Sequence, residues 1–346
     1  MRCEAVTAFG APLESLERDL PVPGPGEAVV KISRAGVCHS DVHLHDGYFD
    51  MGGGQKLAAS VPLPAVLGHE IEGKVAALGP DVSGPPVGAQ VAVYPWIGCG
   101  KCATCARGDQ HMCSRNRNLG LALWGGFADH VLVPDARALI PADGLAPGVA
   151  ALAMCSGLTA YSALNKIGKV DPADPIVILG FGGLGVMGLA LANALLANPV
   201  TVMDIDPAKR EAALARGAAE AVDPADAAAV KAFSKRTGGA AAALDFVGAP
   251  ATFAVGTQVI RRGGALVLVG LFGGAAQLSL ATIPMRPISI IGSLTGSLAE
   301  AEALIALLKT GKVAPPVMEN RPMSAANQAL NDLRAGRVLG RVVLTP

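Results

Sequence analysis

Apolar and polar positions follow two different textures along the chain. In the first half the apolar runs are short, and Glu27–Ile32, Gly73–Leu78 and Gln90–Tyr94 are bounded by Pro, Gly or Asp. Long helical patterns are scarce there, so these runs predict strands of an irregular, mostly β unit. The texture changes near residue 156. From there apolar runs alternate with helical patterns: Ile176–Leu179 then Leu184–Leu196, Val200–Ile205 then Ala208–Arg216, with further runs at Ala242–Val247, Ala265–Val269 and Ile288–Ile291. That alternation predicts an α/β unit, a doubly wound parallel sheet covered by helices. Ser297–Thr310 predicts a helix, Val338–Leu344 a final strand, and Asp223–Val230 a helix or a loop.

The first run of the second half leads straight into Gly180, Gly182, Gly183, Leu184 and Gly185, a G-x-G-x-x-G loop opening a helical pattern. The first glycine suits a tight turn, the second lets a pyrophosphate approach the backbone, and the third lets helix and strand pack closely. The anion is then held by free N–H groups and the positive end of the helix. Alone the motif is weak in a chain with 43 glycines. Its context strengthens it, because the next strand ends in Asp204. A carboxylate there hydrogen-bonds the ribose hydroxyls and repels a 2′-phosphate, favouring NAD over NADP. The alternative for Asp204 is a cap on the helix beginning at Pro207. Lys209 reaches the same ribose or lies on a solvated helix face.

Seven cysteines change the picture further. Cys99, Cys102, Cys105 and Cys113 follow a C-x2-C-x2-C-x7-C spacing that closes a tetrahedral zinc site without water. An iron–sulfur cluster is the rival, and the seven-residue gap suits it less. Cys38, Cys155 and Cys3 remain. Cys38 begins a Cys-His-Ser-Asp run, His69 sits in a Gly-His-Glu run, and Cys155 precedes the α/β half. A catalytic zinc takes three protein ligands and keeps a fourth position open. Spacing alone does not choose these three, since a lone Cys is more often a small buried hydrophobe.

Composition excludes other classes. Lys plus Arg equals Asp plus Glu at 28 each, which leaves no basic surface for nucleic acid. The charge-free stretch between Asp174 and Asp204 is long enough for a membrane span, but its glycines and Asn198-Pro199 read as strand, turn and buried helix. An odd cysteine count with no apolar signal core after Met1 points to a reducing, cytoplasmic setting rather than a disulfide framework.

Taken together, the Cys-His-Ser-Asp motif, the Gly-His-Glu-x-x-Gly motif, the four-cysteine loop and the glycine motif occur in an order that resembles the medium-chain, zinc-dependent alcohol dehydrogenases, over nearly the whole chain. The resemblance implies a GroES-like catalytic domain (1–156 and 295–346) and a Rossmann cofactor domain (157–294). It implies two zinc ions and NAD, with Cys38, His69 and Cys155 on the catalytic zinc and the four-cysteine loop on the structural one. Glu70 would be a carboxylate beside the metal that approaches it transiently, and Asp41 would orient His69. Ser40 would receive the alcohol proton, with a helix cap as its alternative. His43 would be the relay base, with His45 as the competing group. His39 and Arg341 would lie at the pyrophosphate, and Thr159 beside the nicotinamide. The implied substrate is a primary or secondary alcohol, giving aldehyde or ketone, and the implied assembly a homotetramer or homodimer. One departure is the glycine-rich segment Tyr48–Leu57, expected as a long loop near the pocket mouth.

Overall fold

The computed structural model of the protein describes residues 1–59, 61–338 and 340–346. The apolar runs of the first half assemble into a 7-stranded sheet. Its spatial order is Leu139–Pro141, Gln90–Val93, Glu70–Leu78, Ala28–Gly36, Arg341–Thr345 and Met318–Pro322, and His130–Val133 also pairs with Ala28–Gly36. Val343 lies opposite Gly36 and Leu344 opposite Ala35, so the end of the chain returns to the sheet that its beginning built.

The second half forms a six-stranded parallel sheet in the order Glu220–Val222, Val200–Met203, Ile176–Leu179, Ala240–Asp245, Ile260–Leu268 and Ser289–Gly292. Numbered along the chain this is 3-2-1-4-5-6, the Rossmann order. Every residue of the three central strands is buried. Such strands read as continuous apolar runs because helices cover both faces of the sheet. The strand order reverses between Ile176–Leu179 and Ala240–Asp245, where doubly wound sheets open a crevice at their carboxyl ends.

Several elements depart from the sequence reading or resolve what it left open. Tyr48–Leu57 is a hairpin, Tyr48–Gly52 paired with Gln55–Ala58, rather than a loop. Gly53 and Gly54 both have positive φ and turn the chain in two residues, as tight hairpins require. Ala227–Thr237 is a helix, capped by the Asp226 carboxylate on Ala228 and Ala229 N–H. Ile260–Leu268 starts well before Ala265 because it follows its parallel neighbour across an irregularity. The last strand is Arg341–Thr345, and Leu339 of the expected run lies outside the described residues. Among the described residues, no helix is long and apolar enough to cross a membrane.

Candidate active site

Strand Ala28–Gly36 runs into Cys38, which is the N-cap of a helix, His39–Asp46. Ser40 is therefore in the first turn and does not cap it. Asp41 fixes this corner. Its Oδ2 accepts the Cys38 N–H at 2.9 Å and its Oδ1 accepts the Gly68 N–H at 3.1 Å. The same Oδ1 lies 3.3 Å from His69 Nδ1, an ion-pair distance without hydrogen-bond alignment. One fully buried carboxylate thus positions both the Cys38 and the His69 segments.

Cys155 reaches the same point by a different device. Residues Ala153–Gly157 form a π-helical turn between two α-helical segments, Val149–Leu152 and Leu158–Asn165. Such turns recur at functional sites because they re-aim a side chain within a continuous helix. Cys155 Sγ lies 3.9 Å from Cys38 Sγ, and one ligand atom from each of Cys38, His69 and Cys155 falls within 4.8 Å of the others. Ser40 Oγ is 3.8 Å from Cys38 Sγ, at the edge of this cluster. Trp96 covers the other side, its ring 5.3 Å from that of His69 and its Nε1 donating to Met154 O at 3.0 Å.

The three side chains fit a metal ion. Among the described residues, neither ring nitrogen of His69 has a hydrogen-bond partner, although the residue is fully buried. An unsatisfied buried polar group costs about 1–3 kcal/mol, so the imidazole calls for a further ligand. A zinc–sulfur bond of about 2.3 Å in a tetrahedron sets sulfurs about 3.8 Å apart, the spacing of Cys38 and Cys155. The hydrogen bond from Cys155 holds the Cys38 thiol well below its ordinary range, aided by His69 and Arg341, while that bond and burial push Cys155 up. Burial opposes protonation of His69, but Asp41 and Cys38 override it and raise its value. With the His69 proton released on metal binding, a thiolate beside an imidazole is a donor set made for a soft or borderline cation.

The second cluster is Cys99, Cys102, Cys105 and Cys113. Its sulfurs are separated by 3.5 Å (Cys102–Cys105), 3.7 Å (Cys102–Cys113) and 4.0 Å (Cys99–Cys105). That tetrahedron is the size of a single ion, which sets aside a multi-iron cluster. The N–H groups of Cys99 and Arg115 both point at Cys113 Sγ at 3.4 Å, and the Lys101 N–H draws Cys99 down to about 6. Cys3 lies apart, buried in the small sheet of the N-terminus.

On the cofactor side, the glycine loop joins Ile176–Leu179 to the helix Gly183–Leu195. Gly180 has φ +86 and Gly185 packs against the Gly180 carbonyl, while a Cβ on Gly182 would meet nothing within 4 Å. The open side of Gly182 is where a ligand can approach the backbone. Asp204 is almost fully buried; its Oδ2 accepts the Phe181 N–H at 2.7 Å and its Oδ1 the Asp206 N–H at 2.9 Å. The cap on helix Pro207–Ala215 is Asp206, not Asp204. Lys209 is half-buried on that helix, and its neighbour Arg210 does what sequence reasoning missed, donating to Asp204 O at 2.7 Å. Its signal was only a second cation beside Lys209.

Arg341 links the two sides. It is buried, and its Nη2 donates to Glu70 Oε2 at 2.5 Å and to Val37 O at 3.0 Å. A Cβ on Gly183 would stand 2.7 Å from Arg341 Cδ, so the side chain lies against the first turn of the glycine-loop helix. Glu70 is consequently turned to Arg341 and to the Ser156 N–H at 3.2 Å, outside the three converging ligand atoms. Burial raises its carboxyl above the usual range in spite of Arg341. Thr159 is buried one turn beyond Cys155. His39 is exposed, with its ring 5.4 Å from the half-buried His43. His45 is buried, its Nε2 2.7 Å from Ala11 O and its Nδ1 3.2 Å from Asp46, so it does not serve as the exposed base.

Comparisons with known proteins agree with this geometry. Residues 24–144 match the alcohol dehydrogenase GroES-like domain and residues 183–310 the zinc-binding dehydrogenase domain. An NAD-dependent alcohol dehydrogenase of Sulfurisphaera tokodaii is 34% identical over 351 positions, spanning 100% of both chains. The crystal structure of the alcohol dehydrogenase from the hyperthermophilic archaeon Aeropyrum pernix covers 100% of both chains at TM-score 0.89 and 30% identity. A cobalt- and zinc-bound thermostable alcohol dehydrogenase from Pyrobaculum aerophilum covers 100% of this chain and 99% of its own at TM-score 0.87 and 28% identity. With a Rossmann sheet, two zinc-sized clusters and relatives matched from end to end, the chain belongs to the medium-chain, zinc-dependent alcohol dehydrogenase family.

Proposed function

We propose that the protein is an NAD-linked, zinc-dependent alcohol dehydrogenase that interconverts a primary or secondary alcohol with its aldehyde or ketone. One observation carries the reading: Arg341 touches both the carboxylate next to His69 and the helix opened by the glycine loop, so the metal cluster and the dinucleotide crevice share one cleft. In the proposed division, residues 1–156 and 295–346 supply the catalytic domain and 157–294 the cofactor domain. Cys99, Cys102, Cys105 and Cys113 hold the structural zinc; Cys38, His69 and Cys155 hold the catalytic one.

When bound, zinc supplies a Lewis acid for the substrate oxygen and NAD supplies the hydride acceptor. The chain's own residues do the rest. Cys38, His69 and Cys155 would hold that zinc, and three protein ligands are the number typical of a catalytic rather than a structural site. Ser40 takes the alcohol proton. His43 lies three residues further along the same helix face and serves as the relay base. Burial, with help from His39, keeps His43 below its ordinary value of 6.5, so it is neutral and able to accept a proton at neutral pH. Asp41 holds the ligand segments in register, and Trp96 shields His69 from water. Arg341, together with the N–H groups of the glycine loop and His39, receives the pyrophosphate. Asp204, with Lys209 nearby, receives the adenosine ribose, and Thr159 sits by the nicotinamide.

The assembly we propose is a homodimer or homotetramer. It is supported by the edge strand Ser289–Gly292, which among the described residues has no strand on its outer side, and by the exposed apolar side chains Ile290 within it and Leu294 and Met285 near it. A cytoplasmic setting is supported by seven free thiols, most of them in ligand positions.

Purified protein should contain two zinc ions per chain and reduce NAD with members of a panel of primary and secondary alcohols. Protein with both zinc ions that reduces NAD with none of them would overturn the reading.

A further inference from the structure

The hairpin Tyr48–Gly52 with Gln55–Ala58 takes no part in the proposed chemistry, yet it touches both sides of the cleft. At its base the Phe49 ring lies 5.0 Å from the His43 ring, and Gly47, which ends the helix begun at Cys38, accepts the Ala59 N–H at 2.8 Å. At its tip it meets the segment that follows strand Ile260–Leu268 of the cofactor sheet. A Cβ on Gly52 would stand 2.5 Å from Gly274 C and 2.6 Å from Ala275 N, and a Cβ on Gly273 would overlap Asp50 O. Backbone therefore lies on backbone from both directions.

Each side of this contact is itself anchored. The hairpin is stiffened by Asp50 Oδ1, which accepts the Gly52 N–H at 2.7 Å, and by Lys56 Nζ, 3.6 Å over the Tyr48 ring. Across from it, Phe272 N–H donates to Val247 O at 3.0 Å and Gly273 N–H to Gly248 O at 3.1 Å, in the turn after Ala240–Asp245. That turn borders the crevice on the half of the sheet opposite Asp204. A dinucleotide bound with its adenosine at Asp204 extends its nicotinamide end towards this half. Among the described residues, no hydrogen bond joins the hairpin tip to Gly273–Ala275, the Asp50 carboxylate being turned to Gly52 N–H, so the contact is van der Waals alone. It is shape-specific and opens without breaking a polar bond.

We propose that this hairpin is a clasp. It ties the helix carrying Cys38, Ser40 and His43 to the nicotinamide half of the cofactor sheet, and the dinucleotide leaves only when Asp50–Gly52 and Gly273–Ala275 part. The inference rests on the dinucleotide reading of the cleft. Lid opening commonly limits turnover through product release, so clasp contacts set the rate at which reduced cofactor departs.

Three variants of the zinc-loaded full chain test this. Gly52→Ala and Gly273→Ala each drive a methyl group into the facing backbone. Gly53→Ala is the control: it carries the same kind of left-handed strain, with φ +60, but faces open space. NADH bound to each protein is displaced by excess NAD, and the loss of its fluorescence is followed by stopped flow. Gly52→Ala and Gly273→Ala should release NADH about threefold faster or more, with Gly53→Ala at the parent rate. Because each variant opens the contact from its own side, either one that folds is sufficient. Release from both at or below the parent rate, or equal acceleration in Gly53→Ala, would overturn the clasp. A parent chain that binds no NADH would instead overturn the dinucleotide reading beneath it.

Discussion

Arg341 and Glu70, 271 positions apart, form a buried ion pair at 2.5 Å that joins the metal cluster to the cofactor loop. Removing one member leaves the other charged and desolvated, which costs about 3–5 kcal/mol in buried pairs. Arg341→Met should therefore lower unfolding stability by an amount in that range and also weaken NADH binding. Denaturant unfolding and a fluorescence titration measure the two effects. Loss of affinity at unchanged stability would mean that Glu70 has found another partner or taken up a proton.

The four-cysteine lobe predicts a separable metal. Cys105→Ser should leave one zinc per chain, the one on Cys38, His69 and Cys155, and lower the melting temperature, because structural zinc contributes folding energy directly. Metal analysis with a thermal melt checks both. A chain that keeps two zinc ions would show that the loop is not a four-thiolate site.

The acid limb of the rate profile should belong to His43. Its folded value lies below 6.5, so it stays neutral, and able to accept a proton, down through pH 6.5. As pH falls through that lowered value the ring protonates and turnover drops. In His43→Gln this limb should vanish while a lower plateau remains. Measured kcat against pH decides, and an unchanged limb in the variant would assign it to another group.

Asp204 predicts cofactor choice. Its two oxygens satisfy the N–H groups of Phe181 and Asp206, and in the proposed reading its charge repels a 2′-phosphate. In Asp204→Ala both N–H groups lose their acceptor, at about 1–3 kcal/mol for each that stays buried and unpaired. KM for NAD should rise about tenfold, and the preference for NAD over NADP should narrow. The ratio of kcat/KM for the two cofactors is the readout, and an unchanged ratio would place the discrimination elsewhere.

Much of this was legible in the residues themselves, for reasons that differ from site to site. The glycine loop, Gly180–Gly185, and the four-cysteine loop, Cys99–Cys113, are each a short continuous segment, so their spacing carries their geometry. The central strands of the parallel sheet were visible because burial on both faces makes them uniformly apolar. The hairpin at Tyr48 was not, because a run of three glycines suits a loop as well as a tight turn, and only its partner strand decides.

What the sequence by itself determined is the local chemistry: where a strand can meet a phosphate-binding helix, where four thiols can close on one ion, and where a carboxylate ends the second strand. What only the tertiary structure decided is which distant residues meet. Cys38 and Cys155, 117 positions apart, come to 3.9 Å because a π-helical turn re-aims one and a helix N-terminus holds the other. Arg341 reaches Glu70 because the last strand returns to the first sheet, and His45 rather than His43 is buried because the helix between them turns one face to the core. Spacing along the chain fixes contacts only over a few residues; beyond that, packing chooses the partners.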